Sequence, residues 1–257
     1  MTRITSDLAF PASSAKLLKE FRSKISFRRF GNDAKLANQP LRIAEALFPL
    51  DTVNTIINCE SPLNTDWYLT VDTPRMSTVA IGYLVNAVVG RMNASHAYLN
   101  IGVLEGFTFF AGLAGNPDKR CIGVDNFSQF GGPRDKFQGG YVRYASPNSE
   151  FHEMDYVEYL TTKHVEPIGL YYFDGPHEYV DQLRSLELAE PFLAPDALII
   201  VDDTNGEEVR RATLDFMAAR PGRYEVLLDE KTYCNCHPTF WNGIMILGPA
   251  NHEGVSA

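Results

Sequence analysis

The residues of this chain best suited to chemistry sit in two short runs, Tyr171-Tyr172-Phe173-Asp174-Gly175-Pro176-His177-Glu178-Tyr179 and Leu198-Ile199-Ile200-Val201-Asp202-Asp203. Each is an apolar stretch ending in acid, the pattern of a buried parallel strand at the point where it leaves its sheet. In an open parallel sheet the ligand crevice lies outside the carboxyl ends of the strands, so two neighbouring strands would deliver Asp174, Asp202 and Asp203 to one place. Three carboxylates in a partly buried cleft repel one another, and a hard divalent cation with oxygen ligands relieves that repulsion. Mg2+, or another divalent cation, is therefore expected on Asp174, Asp202 and Asp203, with open positions at which an acceptor bearing two adjacent oxygens can chelate and lose a proton. His177 falls at the expected start of the next helix, where the positive end of the helix dipole should keep its imidazole neutral and ready to act as general base.

A second signal is Asn100-Ile101-Gly102-Val103-Leu104-Glu105-Gly106-Phe107-Thr108, which leaves a strand and enters a helix through two glycines. Gly102 and Gly106 would let a ligand approach the backbone, while amides at the helix start can bond an acidic group. Asp125 ends the run Cys121-Ile122-Gly123-Val124-Asp125 about 20 residues further on, where doubly wound folds place an acid for ribose hydroxyls. Asp155, after the next strand, is placed either to meet an adenine amino group or to cap the following helix. A dinucleotide site would want glycine at the middle of the turn, where Leu104 stands, and would not follow a long helical preface.

These residues need a parallel sheet to hold them. From about residue 97, short apolar runs alternate with stretches of helical period, the pattern of repeated βαβ units. Strands are read at Ala97–Gly102, Cys121–Asn126, Glu150–Met154, Gly169–Phe173, Ala197–Val201, Tyr224–Leu228 and Trp241–Leu247. Helices fill Phe107–Ala114, Tyr156–Lys163, Glu178–Phe192 and Glu207–Arg220, the last stopped by Pro221-Gly222. The last two strands lack a helical crossover between them and so should pair antiparallel. Before residue 97 the chain reads as helices at Ala15–Ser26, Ala34–Leu47 and Thr73–Met92, with a loop over Phe48–Asp72. The expectation is an α/β fold with a doubly wound, seven-stranded sheet containing one antiparallel strand, at residues 96–257, under a helical cap or lid at 1–95.

Composition narrows the partners. Lys and Arg total 23 against 32 Asp and Glu, a formal charge of −9 that opposes binding to a phosphate backbone, so nucleic acid is not expected as a partner. Four cysteines are too few for a disulfide scaffold, and no run has the length of a signal peptide or a membrane span, so a cytoplasmic protein without a membrane partner is expected. The expected partner is a small-molecule acceptor; helical prefaces of this kind often mediate self-association, which keeps a homo-oligomer open. Cys234-Asn235-Cys236-His237 lacks the second ligand pair of a structural zinc site, and its place between the last two strands, near the crevice mouth, favours a substrate-lining or reactive-thiol role. The Gly-rich stretch Phe127–Tyr141, with Arg134 and Lys136, reads as a loop that either closes over a donor or lies on the surface.

From about Ala97 to Asn205 the sequence resembles the metal-dependent methyltransferases of the macrocin and mycinamicin O-methyltransferase type, a branch of the class I S-adenosylmethionine-dependent enzymes with a Rossmann-like sheet. The resemblance rests on the turn Ile101-Gly102 through Gly106-Phe107-Thr108, on Asp125, on an Asp-Gly-x-His-x-Tyr motif at Asp174 to Tyr179, and on the acidic pair Asp202-Asp203. It implies S-adenosylmethionine as donor, held at the turn by Gly102, Gly106 and Thr108 and by Asp125, with Mg2+ on Asp174, Asp202 and Asp203 and His177 as base; the reading of the residues themselves adds Asn100, Glu105, Asp155 and Asp174 to the expected cofactor-binding set. It implies methylation of a hydroxyl on a sugar or natural-product intermediate. The sequence departs from the family at Asn100 and at Ser185, each standing where an acid is usual. Two rivals are carried: a metal-dependent hydroxylase-like enzyme on the same scaffold, since aspartates with a histidine suit iron, and a non-catalytic S-adenosylmethionine-binding protein, suggested by Asn100.

Overall fold

The computed structural model describes residues 76–232, 235, 237 and 240–250, together with the backbone of 25–29 and 55–59. Its centre is one sheet of seven strands: β3 (Ala97–Ile101), β4 (Arg120–Val124), β5 (Ser149–His152), β6 (Ile168–Phe173), β7 (Leu193–Asp202), β8 (Tyr224–Glu230) and β9 (Ile244–Pro249). Their order is β5-β4-β3-β6-β7-β9-β8. The pairings from β5 to β7 are parallel, and β9 runs antiparallel to both its neighbours. The expected sheet is therefore present. From β3 the chain winds outward to β4 and β5, and from β6 it winds the other way, so the topological switch point lies between β3 and β6.

The central strands read as continuous apolar runs because they are covered on both faces. All six residues of β6 are buried, and so are the last six of β7. On one face Leu170, Tyr172, Ile200 and Ile246 pack with α1 (Val79–Arg91) and α2 (Phe107–Leu113). On the other, Tyr171, Ile199, Val201 and Leu247 meet α4 (Tyr156–Thr162), α5 (Tyr179–Ala189) and α6 (Glu207–Ala218). The edge strands β5 and β8 are only partly buried and carry Ser, Glu and Asp between their apolar residues.

Several sequence expectations are corrected. The stretch 127–141 is not all loop: α3 covers Arg134–Tyr144. Its pattern hides it, because Gly139 and Gly140 stand mid-helix and Phe137 is its one buried residue. A Cβ at Gly140 would lie 2.5 Å from the ring of Phe110, so the glycine is what lets α3 lie against α2. Part of the 48–72 loop is strand, since β2 (Thr55–Cys59) pairs antiparallel with β1 (Ile25–Arg29), which also takes up the last residues of the helix expected at 15–26. The final strand begins at Ile244 and not at Trp241, because residues 240–243 turn over the sheet end. The helix expected from Thr73 starts at Val79, where the Thr78 hydroxyl caps it by accepting from the Ile81 N–H. The rest of the expected helix at 15–26 and the one at 34–47 lie outside the described residues.

Phe137 joins α3 to the fold: its ring lies 4.3 Å from that of Phe151, 5.4 Å from Phe110 and 5.6 Å from Phe127. Deleting so buried a ring leaves a void as well as lost burial. We expect Phe137→Ala to destabilise the protein by about 3–5 kcal/mol, read from denaturant unfolding monitored by circular dichroism.

Candidate active site

The cleft begins where β3 and β6 end. Gly102 has φ +78°, and a Cβ there would sit 1.9 Å from the carbonyl oxygen of Asp174, so only glycine lets the two strand ends close up. The Asp174 N–H donates to the Ile101 carbonyl at 2.9 Å and completes the join. Gly106 has φ +101°, and the space its side chain would take is filled by the ring of Phe110. Both glycines thus make room first for the chain's own atoms, and Gly102 also lines the cavity.

The remaining turn residues divide. Asn100 and Thr108 are buried and bonded to each other, the Thr108 hydroxyl donating to Asn100 Oδ1 at 3.0 Å with the Tyr98 hydroxyl beside it at 3.2 Å. They brace the turn from inside the fold and do not line the cavity. Glu105 accepts from Lys136 of α3 at 2.6 Å. Its second oxygen is buried without a hydrogen-bond partner. Asp125 faces the cavity, and its two oxygens accept the Leu104 N–H at 2.9 Å and the Phe127 N–H at 2.7 Å. Leu104 and Phe127 both hold positive φ, so this carboxylate gathers the backbone on either side of it. Asp155 caps α4 by accepting the Val157 N–H at 2.8 Å and also lines the cavity.

A cavity of about 310 Å³ runs from these residues to the ends of β6 and β7, within the size range of small-ligand pockets. One end is walled by Asp125, Phe127, Met154 and Asp155, and the far end by Asp174, His177, Asp202 and Asp203. Met76, Asn235 and Trp241 also line it, none of them singled out as a site residue from sequence. Asn235 lies in the Cys234–His237 segment expected at the crevice mouth, and that expectation was the only sequence signal for it. Buried His237 exchanges backbone hydrogen bonds with Trp241, which ties it to the turn before the last strand.

At the far end, His177 Nε2 lies 2.7 Å from Asp203 Oδ2 and 3.7 Å from Asp174 Oδ1. Asp174, His177 and Asp203 each bring a ligand-capable atom within 4.8 Å of the others. His177 Nδ1 and Asp203 Oδ1 are buried without hydrogen-bond partners, which suits a donor set prepared for a divalent cation. Asp202 stands beside this group with both oxygens engaged, Oδ2 by the Tyr172 hydroxyl at 2.6 Å and Oδ1 by the Asp203 N–H at 2.9 Å. The geometry thus brings His177 into the set with Asp174 and Asp203, where sequence reasoning placed Asp202.

The electrostatics correct one expectation. His177 precedes α5, whose N-cap is Glu178, and the helix dipole does not decide its charge. Burial opposes protonation, but the Asp203 hydrogen bond and the charges of Asp174, Asp203 and Asp202 outweigh it and push the imidazole up to about 9. Without a cation it is protonated at neutral pH, not free. Burial and the neighbouring Asp202 and Asp203 charges push Asp174 well above the carboxylate range. Burial and Asp203 likewise push Asp202 up to about 7, against the Tyr172 hydrogen bond.

Residues 99–204 match the family model described as a methyltransferase domain. No curated protein matches the chain in sequence. Among solved structures it is similar to cofactor-bound Rv0187 from MTB, at 16% identity and TM-score 0.55, covering 86% of this chain and 94% of that one. It is also similar to the O-methyltransferase TomG from Streptomyces achromogenes in complex with SAM, at 15% identity and TM-score 0.54, with 72% and 87% covered. A third is the O-methyltransferase from Bacillus cereus in complex with SAH, at 14% identity and TM-score 0.53, with 80% and 95% covered. The family match marks the 99–204 stretch as a methyltransferase domain, and the sheet order is that of the Rossmann-like fold it shares with these structures. Among the described residues no helix is long and apolar enough to cross a membrane.

Because His177, Asp174 and Asp202 all hold protons more tightly when folded, the native state binds more protons than the unfolded one, and metal-free stability must fall as pH rises. The Asp202 contribution is lost between the ordinary carboxylate range and about 7, and that of His177 between about 6.5 and about 9. We expect the thermal midpoint of chelator-treated protein to drop between pH 6.5 and 9, and Asp203→Asn to flatten the part of that drop above pH 7. A midpoint that climbs over this range would contradict the assigned charges.

Proposed function

We propose that this chain transfers a methyl group from S-adenosylmethionine to a hydroxyl oxygen of a small-molecule acceptor. The observation that carries the reading is the single cavity that joins Asp125 and Asp155, at the ends of β4 and β5, to Asp174, His177 and Asp203, beyond the ends of β6 and β7. The free lone pairs of Asp125 accept from the ribose hydroxyls and Asp155 meets the adenine amino group, while Gly102 lets the methionine portion lie close to the turn. The surrounding acids favour a positively charged sulfonium, and Asp174 stands nearest the point where cofactor and acceptor meet.

Asp174 and Asp203, with the imidazole between them, fit a divalent cation such as Mg2+. Bound there, it would supply positive charge that offsets the two carboxylates and acidifies an acceptor hydroxyl. With that charge offset, His177 gives up its own proton near neutral pH and accepts the proton of the acceptor hydroxyl. The oxygen then attacks the methyl carbon as the carbon–sulfur bond breaks; the methyl ether and S-adenosylhomocysteine leave, and the proton remains on His177. Trp241, Met76 and Asn235 wall the acceptor side and hold the reacting oxygen in line with the methyl group. A cleft lined by so many acids, in a chain of net charge −9, supports a small molecule over nucleic acid as acceptor, and a place in the cytoplasm fits that cofactor.

Calorimetry tests the binding half. Wild-type protein should bind both S-adenosylmethionine and S-adenosylhomocysteine, and Asp125→Ala should weaken both by at least about tenfold through loss of charge-assisted hydrogen bonds. Absence of heat with either nucleoside in the wild type would end the proposal. For the chemical half, His177→Ala should lower kcat by about 10²–10⁴-fold with an acceptor identified by mass gain, leaving S-adenosylhomocysteine affinity intact.

A further inference from the structure

We infer that Tyr172 and Asp202 form a positioning pair that sets Asp203 against His177. Asp203 is a non-glycine residue at φ +54°, a left-handed conformation that is uncommon for residues with side chains and is held here by its surroundings. Two hydrogen bonds impose it here. The Tyr172 hydroxyl donates to Asp202 Oδ2 at 2.6 Å, and Asp202 Oδ1 accepts the N–H of Asp203 at 2.9 Å. The Asp203 carbonyl then accepts from Gly206 at 2.8 Å, closing the turn into α6. Turned this way, Asp203 presents Oδ2 to His177 Nε2 at 2.7 Å.

The pair lies inside the fold. Tyr172 is fully buried on β6 and Asp202 is 2% exposed at the end of β7, so the bond between them is shielded from water, while the Asp203 N–H bond lies at the edge of the cavity. Taking away the hydroxyl would leave Asp202 Oδ2 buried without its donor. The carboxylate would then rotate, the Asp203 N–H would lose its acceptor, and the backbone would relax towards the extended form, carrying Oδ2 away from the imidazole. Asp202 thereby acts on the cleft through Asp203, whose carboxylate stands with that of Asp174 beside the His177 imidazole. The use made of Asp203 rests on the methyltransferase reading above, whereas the hydrogen bonds do not.

The test uses full-length, metal-free protein and reads amide hydrogen exchange at residue 203 by NMR, alongside Mn2+ and S-adenosylhomocysteine affinities by calorimetry. Tyr172→Phe should speed exchange of the Asp203 amide at least about tenfold and weaken Mn2+ about tenfold, with S-adenosylhomocysteine affinity within about twofold of wild type. Asp202→Asn, which keeps an oxygen for the Asp203 N–H, should retain protection that Asp202→Ala loses; this comparison decides the matter if Tyr172→Phe does not fold. Wild-type protection of the Asp203 amide in both Tyr172→Phe and Asp202→Ala would overturn the inference. So would an Asp202→Asn variant that loses Mn2+ as completely as Asp174→Asn while the amide stays protected, since Asp202 would then be a direct ligand. A wild type that binds neither Mn2+ nor S-adenosylhomocysteine would remove the methyltransferase reading and still leave the exchange rates to judge the pair.

Discussion

How near the ends of β3 and β6 can come governs the rest of the cleft. At Gly102 the chain admits a carbonyl where any side chain would stand, and the Asp174 N–H bonds back across the gap. That contact sits at the switch point of the sheet, where the chain departs in opposite directions and a crevice must open. The acids that follow β4 and β5 and those at the ends of β6 and β7 become walls of one cavity because this seam is tight. A wider seam would leave two shallow surface depressions, with no shared line along which a donor and an acceptor could align.

The price of this arrangement is electrostatic. Asp174, Asp202 and Asp203 converge with His177, and the protein relieves the repulsion in three ways. Protons are retained on groups that would otherwise be ionised, the Tyr172 hydroxyl and a backbone N–H absorb Asp202, and the imidazole salt-bridges Asp203. The first of these ties the charge state of the cleft to pH, while the second is a matter of geometry alone. Asn100, which stands where related turns carry an acid, adds no further negative charge beneath the site and serves as acceptor for Thr108 and Tyr98.

Much of this was legible from residue order. The strands β3, β4, β6 and β7 have central runs that are apolar on both faces, so they stand out without any need for periodicity, and acids at the ends of β4, β6 and β7 mark the cleft side. Less legible were features set by contacts distant in sequence. α3 buries one side chain and contains two adjacent glycines, so its helical character depends on the aromatic cluster it joins, not on its own pattern. The proton affinity of His177 was misjudged because a helix dipole was weighed without the carboxylates that lie within a few ångströms once β6 and β7 are paired. That Asp202 is occupied from within could not be read at all, since it requires the register that sets Tyr172 one strand over.

Gly106 and Gly140 are 34 residues apart in the chain, yet their missing side chains are filled by the same edge of one ring, that of Phe110. The ring works as a shim between the turn and α3. Any added bulk at position 140, on a helix that carries no residue of the reaction centre, would be handed through the Phe110 ring to the glycine turn at the mouth of the cleft. Tolerance to change in this protein is therefore measured by what a position leans on and not by how far it stands from the cleft.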